Sequence, residues 1–207
     1  MRKILNILIF CLPIFCYGTR QKPDSVIYQG DTFSMRYFGH GSPSPFNDFF
    51  NDTTKKYPFE NLGTACWRGY IAKWKINNDS LFLIEISRPD TIIYLDYFHK
   101  TKCKNNKVFA DWHSGFIFCE STKEEISKKT PCDTSSYNAE RPSIYYIFEI
   151  ANGVIKRKEK FDLYVLDCIE SKCYIDIDKD KIEIYESYIS WRRKLLEERK
   201  VLRTKIK

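Results

Sequence analysis

The sequence predicts an all-β fold, an antiparallel barrel or sandwich built from successive hairpins, with one amphipathic helix at the C-terminus. Short segments rich in β-branched and aromatic residues alternate with Gly, Asn and Asp turn signals. The final segment changes period, because Ile184, Tyr188, Trp191 and Leu195 recur at helical spacing. These two observations together favour strands along most of the chain and a helix only at its end.

The N-terminus has the features of a secretory signal peptide. A basic start is followed by an apolar stretch, residues 4–15, and by small residues before a cut after Gly18. The stretch is shorter than the roughly 20 residues that a transmembrane helix needs. Lipidation at Cys16 is less favoured, because bulky Phe15 precedes it. We therefore expect export, to the periplasm or by secretion, with residues 1–18 removed.

The rest of the chain divides into three parts of different composition. Residues 19–25 form a short polar linker, residues 26–183 the β domain, and residues 184–207 a basic helix. The length after the signal peptide suits one globular domain.

The net charge of +7 is concentrated at the C-terminus. Residues 191–207 hold eight Lys or Arg and two Glu, so the remainder of the exported part is close to neutral. A near-neutral body in an exported protein argues against nucleic acid as a partner. The basic helix is expected to pack on the domain, on a partner or on a membrane surface.

Six cysteines follow the signal peptide, and an even number in an exported chain favours disulfides. No Cys-x-x-Cys pair occurs and no His lies at ligand spacing from a Cys, so we expect neither a metal nor another cofactor. At least two bridges are expected, and the short spacing of the last two cysteines suggests a local loop closure. The disulfide candidates are Cys66, Cys103, Cys119, Cys132, Cys168 and Cys173.

Several hairpins are predicted in order along the chain. The first surrounds Gly30, and residues 38–63 are a loop with one helical turn at 46–50. Residues 120–142 are a second long loop. Further strands are predicted at 70–76 and 81–83, at 91–98, at 108–112 with 116–119, at 144–150 with 154–158, and at 163–166 with 174–177.

The clearest hairpin begins in a cluster of aromatic and charged residues at 67–70. Strand alternation places Tyr70 and Trp74 on the core face, and by the same count Arg68 lies on the inner side. A lone buried charge needs a partner, so we expect Asp111 to pair with Arg68, or else an anion from outside. The tentative ligand-binding residues are Arg68, Trp67 and Tyr70, although Trp67, Gly69 and Trp74 are expected to be architectural.

No catalytic residue is predicted. Asp111, His113 and Ser114 are the residue types of a hydrolase triad, but neighbouring strand residues point to opposite faces. The acidic run 176–180 lacks the Gly and Glu of a calcium loop.

Two motifs resemble those of a group of uncharacterised small bacterial proteins. WRGY at 67–70, followed by Trp74, Ile76, Leu81 and Leu83, is similar to that group's hairpin pattern WRGY-x3-(W/F)-x-I-x4-L-x-L. ADWHSG at 110–115 resembles its ADW-x-(S/T)-G element. The resemblance covers roughly residues 26–160 and implies no mechanism, because the group has no assigned function.

The sequence thus favours an exported, non-catalytic β domain that binds an unknown small ligand or protein. The aromatic content of 16% supports this preference, since it exceeds what a plain core requires. The alternative is a glycan- or peptide-directed hydrolase with a site built from loops 38–63 and 120–142.

Overall fold

The structure is a computed structural model, and it describes the chain from residue 22 to residue 205 with gaps. The described residues are 22–36, 44–51, 58–63, 66–88, 91–93, 95, 103–121, 124–126, 140–142, 144–170, 172, 174 and 177–205. The predicted signal peptide and the first three residues of the predicted linker lie outside them, so export stays a prediction.

Strands are the most frequent elements in the described part of the chain, and three helices accompany them. The strands are β1 (Ser25–Tyr28), β2 (Asp31–Met35), β3 (Ile71–Asn77), β4 (Ser80–Arg88), β5 (Thr91–Ile93), β6 (Cys103–Lys104), β7 (Lys107–Phe109), β8 (Gly115–Ser121), β9 (Glu124–Ile126), β10 (Glu140–Pro142), β11 (Ile144–Ala151) and β12 (Val154–Asp162). The helices are α1 (Pro45–Asn51), α2 (Leu163–Glu170) and α3 (Lys179–Lys205).

Seven strands close into a barrel, which confirms the predicted all-β barrel with a C-terminal helix. The order around the ring is β12–β11–β8–β2–β1–β3–β4, and β4 meets β12 again where Ser80 pairs with Val154. The pairings are antiparallel except that of β1 with β3, which is parallel. The strands β5 and β7 pair with β4 outside the ring, whereas β9 and β10 form a separate small sheet.

The barrel closes where the turn between β11 and β12 approaches β4. Gly153 has φ +76°, and a Cβ at this position would lie 2.7 Å from the carbonyl oxygen of Ala110. Leu81 N donates to Gly153 O at 2.8 Å, and Ile155 N donates to Asp79 O at 2.8 Å. The Asn-Gly turn predicted from the sequence therefore also provides the close approach that joins the two ends of the ring.

The sheet has two buried faces because successive side chains point to opposite sides. We call the barrel interior the inner core; Tyr70, Trp74, Leu81 and Phe148 belong to it. The outer core lies between the outside of β8, β11 and β12 and the helices α2 and α3. Its buried members are Phe118, Tyr145, Ile147, Phe161, Leu163, Leu166, Ile169, Ile184 and Tyr188.

The prediction of a strand at 163–166 is wrong, and the strand predicted at 174–177 falls partly outside the described residues. Residues 163–170 form helix α2 instead, and the described residues Tyr174 and Ile177 lie outside any strand. Asp162 Oδ1 accepts a hydrogen bond from Val165 N at 2.8 Å, which satisfies a free amide at the helix start. The buried Leu163, Leu166 and Ile169 then recur at helical spacing and face the sheet.

The predicted pairing of 108–112 with 116–119 is also wrong. β7 pairs with β4 and β6, whereas β8 pairs with β2 and β11. Between them, His113 N donates to Ala110 O at 3.0 Å, and the segment passes from one side of the ring to the other instead of turning back. Residues 120–142, predicted as loop, contain the end of β8 and the strands β9 and β10.

Helix α3 begins at Lys179, five residues before the predicted boundary at 184. Asp178 explains this start, because its Oδ1 accepts a hydrogen bond from Asp180 N at 2.9 Å. At Trp191 the helix packs against β8, where a Cβ on Gly115 would lie 2.6 Å from the indole ring. Within the described residues, no helix combines the length and apolar character needed to cross a membrane.

The expectation of at least two disulfides is not met by the structure. Cys66, Cys103, Cys119 and Cys168 are free thiols, and Cys132 and Cys173 lie outside the described residues. Cys119 lies in the inner core and Cys168 on a buried position of α2. Burial raises the pKa of the Cys119 thiol far above its ordinary value, which keeps it protonated and unreactive.

Candidate functional site

The first candidate site is the cluster around Arg68, just before β3. Arg68 is only 3% exposed, and its Nη2 donates to Asp24 Oδ1 at 2.9 Å. The same nitrogen donates to the carbonyl oxygen of Lys22 at 3.1 Å. The partner found for Arg68 is therefore Asp24, in the segment predicted as linker, where the sequence prediction named Asp111.

Asp24 is fully buried and holds several groups at the start of the barrel. Besides Arg68, its Oδ1 accepts a hydrogen bond from Ala72 N at 3.0 Å, and its Oδ2 lies 3.4 Å from Trp74 Nε1. The hydroxyl of Ser44 also donates to Oδ2. A carboxylate with this many donors is well compensated for burial. The ion pair of Asp24 and Arg68 therefore links the segment before β1 to the segment before β3 at this end of the barrel.

The structure separates the three tentative ligand-binding residues. Tyr70 is fully buried with its ring centroid 5.2 Å from Arg68 Cζ, whereas Trp67 is 48% exposed. Gly69 is architectural as expected, because at φ +75° a Cβ would lie 2.0 Å from Glu60 O. Arg68 and Tyr70 thus belong to the closed core, and Trp67, expected to be architectural, lies at the surface.

Helix α1 covers this end of the inner core and is held there by polar contacts. Tyr70 donates its hydroxyl hydrogen to Asn47 Oδ1, and Trp112 Nε1 donates to Pro45 O at 2.9 Å. His113 Nδ1 lies 2.7 Å from Asp48 Oδ2. The phenyl rings of α1 pack into the inner core beside Tyr70. The predicted helical turn at 46–50 is confirmed and becomes a structural lid.

His113 and Asp48 resemble the base and orienting acid of a hydrolase, but no nucleophile completes them among the described residues. The imidazole is 1% exposed, and its Nε2 is buried without a hydrogen-bond partner. The hydroxyl of Ser114 is bonded elsewhere, to Asn152 Oδ1 at 3.2 Å and from Asn152 N at 2.9 Å. The pair therefore anchors α1. Among the described residues, no group of His, Cys, Asp and Glu has the geometry of a metal site.

The second candidate site is an open groove of about 440 Å³ between α2 and α3, here called the α2–α3 groove. It combines apolar, aromatic and charged side chains on the outside of the molecule. The residues that line it are Ile169, Glu170, Lys172, Tyr174, Tyr185, Glu186, Ile189, Ser190 and Arg193.

Two lining residues of the groove, Glu170 and Tyr185, take part in a charged network. Glu170 Oε1 lies 3.8 Å from Arg36 Nη1 and accepts a hydrogen bond from the Tyr185 hydroxyl at 3.4 Å. Arg36 also approaches Glu120, at 3.6 Å, and its Cζ lies 5.4 Å from the ring centroid of Phe118. Burial and the Glu170 charge raise the pKa of Tyr185, so this phenol stays neutral. Glu170 is thus committed to the protein itself.

Three other charged residues of the groove have no ion-pair partner in the described part of the chain: Lys172, Glu186 and Arg193. Lys172 has φ +58°, a left-handed conformation that costs a lysine about 1 kcal/mol relative to glycine.

Sequence reasoning missed this groove because it assigned the α2 segment to a strand. The helical spacing of Leu163, Leu166 and Ile169 was the signal that would have revealed it.

Comparison with known protein families, with curated proteins and with solved structures found no match to this chain.

Proposed function

We propose that this protein is an exported, non-catalytic β-barrel that binds a small ligand or a protein segment in the α2–α3 groove. The observation that carries the proposal is the contrast in charge pairing. The buried Arg68 is neutralised by Asp24 inside the molecule, whereas Lys172, Glu186 and Arg193 line an open groove without partners in the described residues. Charges in a concave, partly apolar site are available to a ligand.

The size and lining of the groove also support binding. Its volume of about 440 Å³ falls in the range of small-molecule sites, roughly 300–1,000 Å³. Ile169 and Ile189 offer apolar contact, and Tyr174 and Tyr185 offer aromatic faces with polar ends. The inner core is filled by aromatic side chains, so we place the ligand on the outside of the barrel.

The hydrolase alternative is kept as the rival hypothesis. Part of loop 38–63 and most of loop 120–142 lie outside the described residues, so a site built from both loops stays a prediction. Contact with a membrane surface through the basic end of α3 likewise stays a prediction.

The test is a nuclear magnetic resonance titration of the mature chain, residues 19–207, with a mixture of small polar and aromatic fragments. We expect the shifted amides to cluster around the α2–α3 groove. Ile189→Asp should abolish these shifts, while Val201→Asp, on an exposed position of the same helix, should leave them unchanged. Shifts confined to α1 and His113, or turnover of glycan or peptide substrates, would favour the hydrolase.

Export is tested separately by sequencing the N-terminus of the protein from its native host. A start near Thr19 is expected. An intact Met1 on protein from the cytosol would refute export without affecting the groove.

A further inference from the structure

The charged groups of α3 that line the groove lie on one face of the helix. Glu186, Ser190 and Arg193 are four and three residues apart, which places them above one another. At 1.5 Å rise per residue, Glu186 and Arg193 are separated by about 10 Å along the axis. The face therefore carries a carboxylate at one end, a hydroxyl between, and a guanidinium at the other end.

Both terminal charges of this face are without ion-pair partners in the described part of the chain, and they have opposite signs. A complementary ligand carries a cation at the Glu186 end and an anion at the Arg193 end, about 10 Å apart. Three extended peptide residues span about 10 Å. We infer that the groove binds a short zwitterionic peptide of about three residues, with its ammonium group at Glu186 and its carboxylate at Arg193.

The remaining lining fits the same class of ligand. The apolar and aromatic residues Ile169, Ile189 and Tyr174 can contact peptide side chains, and Ser190 can bond the peptide backbone. Lys172 adds a second cation, while the charge of Glu170 is already met by Arg36. The unpaired charges of the lining therefore sum to one positive, which favours the carboxylate end of the ligand.

This inference rests on the proposed binding function. Its test is designed so that a failure of the peptide inference can be distinguished from a failure of the proposed function. The probe is the tripeptide Leu-Gly-Phe in four forms: free, N-acetylated, C-amidated, and blocked at both ends. Dissociation constants for the mature chain are measured by calorimetry, and the location of binding by amide shifts. We expect acetylation and amidation each to weaken binding about two- to fivefold, the range for an exposed ion pair.

Two variants assign the ends of the peptide. Glu186→Gln should remove the difference between the free and acetylated peptides but keep the effect of amidation. Arg193→Gln should do the reverse. The matched controls are Glu198→Gln and Lys194→Gln, exposed residues of the same helix that do not line the groove, and these should change neither difference.

Three results would overturn the inference. Equal binding of all four forms in the groove would leave the groove a binding site but not one that recognises peptide termini. An exchange of effects between the two variants would contradict the orientation of the peptide. If no form binds at millimolar concentration, the peptide class is wrong, and the fragment titration decides independently whether the groove binds anything.

Discussion

The inner core and the outer core lie on opposite faces of the same sheet and differ in how their charged residues are paired. On the inside, Asp24 and Arg68 are both buried and lie within hydrogen-bond distance of each other. On the outside, α2 and α3 bury an apolar layer, while Lys172, just after α2, and Arg193 of α3 have no ion-pair partner in the described residues. The region around Arg68, which the sequence suggested as a site, is therefore closed. The region of α2 and α3, where the sequence suggested no site, contains an open groove.

This difference follows from what each layer must satisfy. A charge inside a barrel has no access to water, so it is retained only with an internal partner. Helices packed on the outside of a sheet have one solvent-exposed edge. A charged side chain there costs little free energy and remains available to bind a ligand. Exposure and pairing therefore distinguish a structural charge from a binding charge better than residue type does.

The largest expected effect is on the inner core. Trp74→Ala should lower the free energy of unfolding by about 3–5 kcal/mol, because Trp74 is fully buried and its removal leaves a cavity. Trp67→Ala, at the 48% exposed Trp67, is the matched control and should cost less than about 1 kcal/mol. Urea titration of both variants checks this. Similar losses in both would contradict the separation of the two tryptophans.

The pH dependence of stability should report on the outer core. Burial raises the folded-state pKa values of Tyr185 and Tyr188 above the ordinary value of 10.0. The unfolded chain then loses these protons first, so stability is full below pH 10 and falls as the pH rises above it, by up to about 1.4 kcal/mol per pH unit for each phenol.

Thermal unfolding between pH 8 and 11 measures this dependence. Tyr185→Phe and Tyr188→Phe should flatten the decline above pH 10, while Tyr164→Phe, on an exposed tyrosine of α2, should not. An unchanged slope in both core variants would show that these phenols are not buried in solution.

The smallest expected effect is at the edge of the groove. Lys172→Gly should raise the free energy of unfolding by about 0.5–1 kcal/mol, because glycine adopts φ +58° without steric cost. The same variant should weaken binding of an anionic fragment in the groove. Lys179→Gly, at the first residue of α3, is the control and should not stabilise the protein. A destabilised Lys172→Gly would mean that the lysine makes a structural contact.

Much of the barrel could be predicted from the sequence because its strands are local patterns. The alternation from Tyr70 to Ile76 identified the core face of β3, and the Asn-Gly turn at 152–153 identified the hairpin of β11 and β12. The parallel pairing of β1 with β3 could not be predicted, because it joins segments about 48 residues apart with no local signal.

The site was harder to predict for the same reason. The inner location of Arg68 followed from strand alternation, but its partner Asp24 lies 44 residues away in a segment that looked like a polar linker. The α2–α3 groove depends on the fold of α2, whose eight residues are short enough to be mistaken for a strand. Contacts between residues far apart in the sequence, and helices as short as α2, could therefore not be predicted from local patterns.

The central claim is that the cluster around Arg68 is an internal anchor, and a double-mutant cycle tests it most directly. Asp24→Asn and Arg68→Met should each cost about 3–5 kcal/mol, because each leaves one buried charge unpaired. The double variant should cost at least about 2 kcal/mol less than the sum of the two. Asp79→Asn, which removes the exposed pair with Lys158, is the matched control and should cost less than about 1 kcal/mol. Additive losses, or an Arg68→Met variant as stable as the parent chain, would contradict the account and return Arg68 to the list of ligand-binding residues.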